Sequence, residues 1–246
     1  MPIKKSEAIV LKSIKHSESS KIVTFFTGDY GRIAVLAKGA RRPKSEFLGV
    51  LEPLNLLFIV FYYRNTRDIQ ILSQSTILEP FPDIQKDLAR LAISLSVTEL
   101  LNRIIIGEEP SRNIFDLAVQ TFREVNRSRK NTINLLWYFE ITMLKYLGFK
   151  PDLDRCNFCK KPLEKAKLSL QKGQLYCGDC VEVEFASNLS KESISILRRL
   201  KNSGGANLET LFSSKLAYNQ INKFFHNYLS YHLEGIPPLR SLNLLK

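Results

Sequence analysis

Hydrophobic positions in the first third of the chain come in short runs, several alternating with polar ones. Glu7 to Ile14, Lys21 to Thr27 and Arg32 to Ala37 read as strands, the last two joined by the turn Gly28-Asp29-Tyr30-Gly31. Leu54 to Tyr63 is rich in branched and aromatic residues and apolar on both faces, as a buried strand is. Ile69 to Leu78 follows the turn Arg64-Asn65-Thr66-Arg67-Asp68. Five short strands without a helical crossover predict a small antiparallel barrel over residues 1–80.

Near Pro80 the period changes. Pro82-Asp83 is a helix start, and Ile84, Leu88, Leu91, Leu95, Leu101 and Ile105 then follow a helical stripe. Gly107 to Pro110 breaks it. A second helix is expected from about Ser111 to Asn126, with Ile114, Leu117, Ala118, Phe122 and Val125 inward. A third covers about Ile133 to Leu147, with Gly148 as its stop. Ser190 reads as the N-cap of a helix to about Asn202, and Ser203-Gly204-Gly205 as a loop. A last helix spans about Ser214 to Leu233, with Leu216, Ile221, Phe224, Phe225, Tyr228 and Leu229 toward the core. The fold class is therefore α+β: a β-barrel domain over residues 1–80, then an α-helical domain over residues 81–246. The chain shows no internal repeat and no low-complexity tract.

The interruption between the third and fourth helices holds all four cysteines, Cys156, Cys159, Cys177 and Cys180, in the pattern C-x2-C-x17-C-x2-C. Each C-x2-C knuckle turns two thiolates toward one point, and the segment between has the length of a hairpin that returns the second pair to the first. Four thiolates fill a tetrahedral zinc shell and leave no position for water or substrate, so one structural zinc ion is the expectation, in a module over about 152–188. Two redox pairs or free cysteines are the alternatives, but neither pair sits in a thioredoxin-like strand-to-helix context. His16-Ser17-Glu18 matches the H-x-E of zinc deaminases, which also need P-C-x-x-C soon after. The first pair here lies far downstream, preceded by Arg155, and the match reads as chance.

Charge narrows the partners. There are 36 Lys+Arg against 24 Asp+Glu, a net charge of +12, which favours polyanions such as nucleic acid or an anionic membrane surface. Hydrophobic residues make up 44%, enough for a sizeable core and unlike a disordered chain. The longest apolar run, Leu54 to Tyr63, is too short to span a bilayer, and MPIKKSEAIV lacks the features of a secretory signal. A cytoplasmic protein with no membrane partner is expected, where compact cysteine sets bind metal more often than they form disulfides.

The cations concentrate in Lys38-Gly39-Ala40-Arg41-Arg42-Pro43-Lys44-Ser45, which follows a strand and should be a barrel loop. OB-fold barrels bind single strands with such loops and one sheet face. Lys38, Arg41, Arg42 and Lys44 are the candidate phosphate contacts, with Arg32, Arg64 and Arg67 near other strand ends extending the groove. Phe25, Phe26, Phe61, Tyr62 and Tyr63 are candidate stacking platforms, although strand aromatics are mostly core. A solvated charge run is the bland alternative. Enzyme signals are absent: there is no phosphate-binding glycine loop and no nucleophile elbow. His226 and His232 do not share a helix face, and Asp83, Asp87, Glu99, Glu108 and Glu109 are spread along helices. A non-catalytic protein is expected.

Several stretches carry a family resemblance: Glu7-Ala8-Ile9-Val10-Leu11, His16-Ser17-Glu18-Ser19-Ser20-Lys21-Ile22-Val23, Thr27-Gly28-Asp29-Tyr30-Gly31-Arg32-Ile33, Ala37-Lys38-Gly39-Ala40-Arg41-Arg42, Tyr138-Phe139-Glu140, Leu147-Gly148-Phe149-Lys150-Pro151 and the cysteine module. Together they resemble the RecO family of bacterial recombination mediators over nearly the whole chain. The resemblance implies an N-terminal OB-fold barrel and a helical C-terminal domain with an embedded zinc module. It implies binding of single- and double-stranded DNA, annealing of complementary strands and, with RecR, loading of RecA onto DNA coated by single-stranded-DNA-binding protein. Nucleoid association follows from those partners. The acidic C-terminal tail of the coating protein would dock in a hydrophobic pocket with basic neighbours on the helical domain, with Arg123, Arg127 and Arg129 as candidates. A protein-binding scaffold with a basic surface is the alternative, and a nuclease is a weaker one.

Overall fold

Five strands, β1 (Ile3–His16), β2 (Ser20–Thr27), β3 (Gly31–Ala37), β4 (Asn55–Tyr62) and β5 (Ile69–Pro80), close into a barrel in the order β1-β2-β3-β5-β4, with β4 returning to β1. The computed structural model describes residues 2–180, 185–233 and 235–245, with the backbone alone at 185 and 186. Residues 181–184 of the expected zinc module lie outside them. The order is that of an OB-like fold. One pair, β3 with β5, is parallel, with Ala34 opposite Ile69. A ring of five strands that alternate in direction must contain one such pair, so the expected all-antiparallel barrel could not close.

Alternation sets the inner face. Val23 and Phe25 of β2, Ile33, Val35 and Ala37 of β3, and Leu57, Ile59 and Phe61 of β4 are buried together. Three further core residues, Ala40, Phe47 and Leu51, come from the connection 38–54, of which only Lys38 to Ser45 is read from the sequence, as a basic barrel loop. Phe25 and Phe26 are adjacent and both fully buried because each faces a different layer: Phe25 fills the barrel, and Phe26 meets the Phe115 ring edge-on at 5.5 Å.

Phe115 belongs to α2 (Arg112–Arg127), which follows α1 (Leu88–Ile104). These two helices form one compact unit with the barrel, Met1–Arg127 with Leu244–Lys246; the other unit is Ser128–Asn243. The α2 inward set, Ile114, Leu117, Ala118, Phe122 and Val125, is buried as its periodicity indicates. The expected α1 stripe holds at Leu101 and Ile105, which are buried, and is corrected in the first half of the helix. Leu88 is exposed, Leu91 and Leu95 are half-buried, and Ala92, Ile93, Ser94, Ser96, Val97 and Thr98 are buried instead. Small hydroxyl residues hid this: the Ser96 and Thr98 hydroxyls donate to the Ala92 and Ser94 carbonyls one turn back, so they can be buried at little cost. The helix begins at Leu88, capped by the Asp87 carboxylate, and Ile84 lies buried in the turn before it. Gly31 is fixed by its neighbours: its φ is +60°, and a Cβ there would lie 2.4 Å from the Glu109 carbonyl oxygen.

The second unit holds α3 (Ile133–Tyr146), a small sheet of β6 (Ala166–Ser169), β7 (Leu175–Tyr176) and β8 (Phe185–Leu189) in the order β7-β6-β8, then α4 (Lys191–Asn202) and α5 (Lys215–His232). Gly148 ends α3 at φ +84°, with Phe149 N–H donating to the Leu144 carbonyl. Ser190 caps α4 and Ser214 caps α5. On α5, Ile221, Phe224, Phe225, Tyr228 and Leu229 are buried as expected, but Leu216 is 61% exposed. Ala217, one residue on, carries the stripe at that turn.

Glu140 of α3 is buried, and loss of solvent raises its carboxyl pKa well above the usual glutamate range. A raised carboxyl stabilises the fold fully below the unfolded-state pKa, and that contribution is lost as pH rises through the folded-state value. Glu140→Gln is therefore expected to melt higher than wild type at pH 8 and no higher at pH 4. Each kcal/mol recovered shifts Tm by about 2–4 °C. Fluorescence of Trp137, on the same helix and fully buried, reports the transition. A difference in Tm that does not change between the two pH values would count against this assignment.

Candidate nucleic-acid interface and metal centre

Strand direction places Ser20 and Thr27 at opposite ends of the barrel. At the Thr27 end, the 28–31 turn packs against Arg112 and Glu109, and Arg112 forms ion pairs with Glu7 at 3.1 Å and Asp116 at 2.9 Å. At the Ser20 end lies the basic loop. Arg41 N–H donates to the Ser19 carbonyl and its guanidinium to the Ser17 carbonyl at 2.9 Å, tying the loop to the β1–β2 turn. Lys38, Arg41, Arg42 and Lys44 are all exposed. Buried Ala40 precedes the arginines and buried Phe47 and Leu51 follow, so the cations stand on a segment anchored in the core. The loop's polar-looking sequence concealed that anchoring.

The same end carries cations the sequence reading missed. Register sets Lys15 directly opposite Lys21 on the β1–β2 hairpin. Like charges facing across a strand pair destabilise it. Lys21 is offset by Glu52 at 2.6 Å. Pairing the two flanks of the 17–19 turn would have shown this juxtaposition from the sequence.

Arg32, Arg64 and Arg67 lie elsewhere. The Arg32 guanidinium donates to the carbonyls of Asn102 and Ile105 (3.3 Å to the latter) at the C-terminal end of α1. It acts there as a helix cap. Arg64 and Arg67 flank the β4–β5 turn, organised by the buried Gln70 amide, whose Nε2 donates to the carbonyls of both. The Ala34–Ile69 register puts this turn beside the first half of β3, whereas the basic loop leaves from its last residue. The structure thus brings together Lys38, Arg41, Arg42 and Lys44, and sets the other three apart. Of the candidate stacking aromatics, Phe25, Phe26 and Phe61 are fully buried. The Tyr63 ring lies under the Lys4 ammonium at 3.5 Å, and its hydroxyl donates to Glu108 at 2.8 Å. That bond and the nearby carboxylate raise the Tyr63 pKa.

In the second unit, the four cysteine sulfurs lie within 4.8 Å of one another. Cys159 and Cys177 Sγ are 3.7 Å apart, against about 3.8 Å across a tetrahedral zinc shell with 2.3 Å bonds and about 2.05 Å for a disulfide. Local hydrogen bonds build this arrangement. Cys156 N–H donates to the Lys161 carbonyl at 2.9 Å, closing the first knuckle, and Cys177 N–H donates to Cys156 Sγ at 3.3 Å. Burial raises the Cys156 thiol pKa, but backbone N–H groups of Cys177, Cys159 and Phe158 stabilise the thiolate and bring it down to about 6. Hydrogen bonds with Cys159 and Cys177 push Cys180 up to about 12. A dication at the centre removes that opposition, and the four thiols fit one.

The module is fastened at two places. Arg198 of α4 donates to the Leu153 and Leu163 carbonyls at 2.8 Å each, on either side of the first knuckle. The β6–β7 turn lies on α5: Gly173 approaches Tyr231 so closely that a Cβ would sit 2.2 Å from the ring, and the His232 ring nitrogen is 3.1 Å from the Gly173 carbonyl oxygen. Among the arginines considered for an acidic peptide, Arg123 is engaged by Glu79 at 2.7 Å, while Arg127 and Arg129 are exposed.

Comparison with known proteins agrees with these features. Residues 1–81 match the family model described as Recombination protein O N terminal, and residues 85–243 match Recombination protein O C terminal. The DNA repair protein RecO of Chloroherpeton thalassium is 29% identical over 97% of this chain and 96% of its own. That of Salinibacter ruber is 30% identical over 99% of this chain and 93% of its own, and that of Desulforamulus reducens 30% over 95% and 91%.

Proposed function

Because the chain belongs to the RecO family of DNA repair proteins, we propose that it binds single- and double-stranded DNA at the basic end of its barrel and anneals complementary strands. With RecR, it promotes loading of RecA onto DNA coated by single-stranded-DNA-binding protein. The observation that carries the reading is the anchored loop with Lys38, Arg41, Arg42 and Lys44 exposed beside Lys15 and Lys21. Cations on an ordered support neutralise phosphates of two strands and lower the repulsion that opposes pairing. Arg32 is engaged by carbonyls and contributes by holding the fold, and Arg64 and Arg67 are secondary contacts at most. DNA work falls to the barrel, residues 1–80, and partner docking to residues 81–246.

One structural zinc at Cys156, Cys159, Cys177 and Cys180 completes the reading, with the geometry of the sulfurs as its support. No bond chemistry is assigned to the protein, and it acts where the DNA is, in the bacterial cytoplasm. Lys130, whose ammonium lies 5.8 Å from the exposed ring of Phe212, and its chain neighbour Arg129 are the residues assigned to the acidic tail of the coating protein. The test is strand annealing with bare and with coated DNA. Wild type should anneal both, and Arg129→Glu should lose only the coated reaction. Failure to shift any oligonucleotide would favour a scaffold that binds acidic proteins, and magnesium-dependent cleavage would point to a nuclease.

A further inference from the structure

Phe158 lies between two of the cysteines, and its ring is 74% exposed. Nothing in the barrel reading uses it. Its backbone is nonetheless held: Cys156 N–H donates to the Lys161 carbonyl at 2.9 Å, Lys160 N–H to the Cys156 carbonyl at 3.0 Å, and Asn157 N–H to the Leu175 carbonyl at 3.0 Å, pinning the knuckle to β7. Three exposed cations, Arg155, Lys160 and Lys161, flank it. Lys160 folds back so that its ammonium donates to the Asn157 carbonyl at 2.8 Å, beside the ring-bearing residue. The neighbouring acids are mostly occupied. Asp154 pairs with Arg198 and Lys201, Glu164 with Lys191, and Asp152 accepts from the N–H groups of Asp154 and Arg155.

We propose that this knuckle is a second nucleic-acid contact, with Phe158 as a stacking platform for an unpaired base. The proposal rests on the DNA-binding reading above. The chemistry selects a single strand, because the bases of a duplex have both faces covered. Charge alone would not hold it: four thiolates around a dication leave two negative charges at the module's centre, which offset part of the cationic flank. The aromatic face must therefore supply the affinity, with the lysines and Arg155 placing the backbone. A protein partner fits less well, because Phe158 is the one apolar side chain in the run Asn157-Phe158-Cys159-Lys160-Lys161, whereas protein hot spots sit in larger apolar surroundings.

The test uses the full-length, zinc-loaded protein. Trp137 is its one tryptophan and is fully buried, so Phe158→Trp adds a single solvent-facing emitter. Titration with a deoxythymidine oligonucleotide should quench that emission saturably, and an equal-length duplex should quench it much less. Phe158→Ala should weaken oligonucleotide binding about 5- to 100-fold, with the salt dependence and zinc content unchanged. Unchanged Phe158→Trp emission under conditions where a gel shift shows wild type saturated with the oligonucleotide would overturn the platform. Absence of any oligonucleotide binding by wild type would instead overturn the DNA-binding reading itself. Should Phe158→Ala lose its zinc, the emission of the tryptophan variant decides alone.

Discussion

Replacing Cys156 with Ser, or stripping the metal with a chelator, is expected to lower the melting of the C-terminal unit by about 10–20 °C, followed through Trp137. Peptides that depend wholly on zinc gain about 10–16 kcal/mol from it. This unit keeps a core of its own around Trp137, Phe139, Phe224 and Phe225, so only a part of that, about 5 kcal/mol, is at stake. At about 2–4 °C per kcal/mol that gives the stated range. The hairpin is the part that fails first. Its strand β7 has two residues, too few for a ladder to hold unaided. Acid should mimic the substitution, because a coordinating thiolate must lose its proton and metal affinity falls as pH falls. An unchanged melt in protein shown by elemental analysis to be metal-free would sink the structural role.

The second large effect is on DNA. Arg42→Ala combined with Lys44→Ala removes two exposed cations whose side chains have no hydrogen-bond or ion-pair partner among the described residues. Each lost phosphate contact should flatten the slope of log affinity against log salt by about 0.7–0.9, so the pair by about 1.4–1.8. Binding at low salt should weaken about 10- to 100-fold without regard to sequence. Arg41 is a poorer choice for this test, because its guanidinium also holds the Ser17 carbonyl and its loss disturbs the turn. A slope that stays put in the double variant would remove the loop from the interface.

Much of this was legible in the sequence, for reasons that can be named. Strands with alternating faces, such as Arg32 to Ala37, announced themselves by their period, and α2 did so by its stripe. The cysteine pairs were legible because ligand spacing is a local property. What escaped depended on long-range pairing. The capping role of Arg32 requires knowing that the end of α1 lies 70 positions away in sequence and adjacent in space. The burial of α1 was hidden because Ser96 and Thr98 read as surface residues until their hydroxyls are given helix carbonyls to bond. Leu216 misled in the opposite direction, as an apolar residue one position off its helix's buried face.

Ala40, Phe47 and Leu51 share one short connection with the exposed cations. That connection behaves as a stopper cut to the bore of its own barrel. Exchanging residues 38–54 between relatives would transplant part of a hydrophobic interior along with the charges, and a chimera would inherit mismatched volume before it inherited altered DNA preference. Variation in this region should therefore be correlated: the cations are free to change one at a time, while the three apolar positions can change only together with the strands that enclose them.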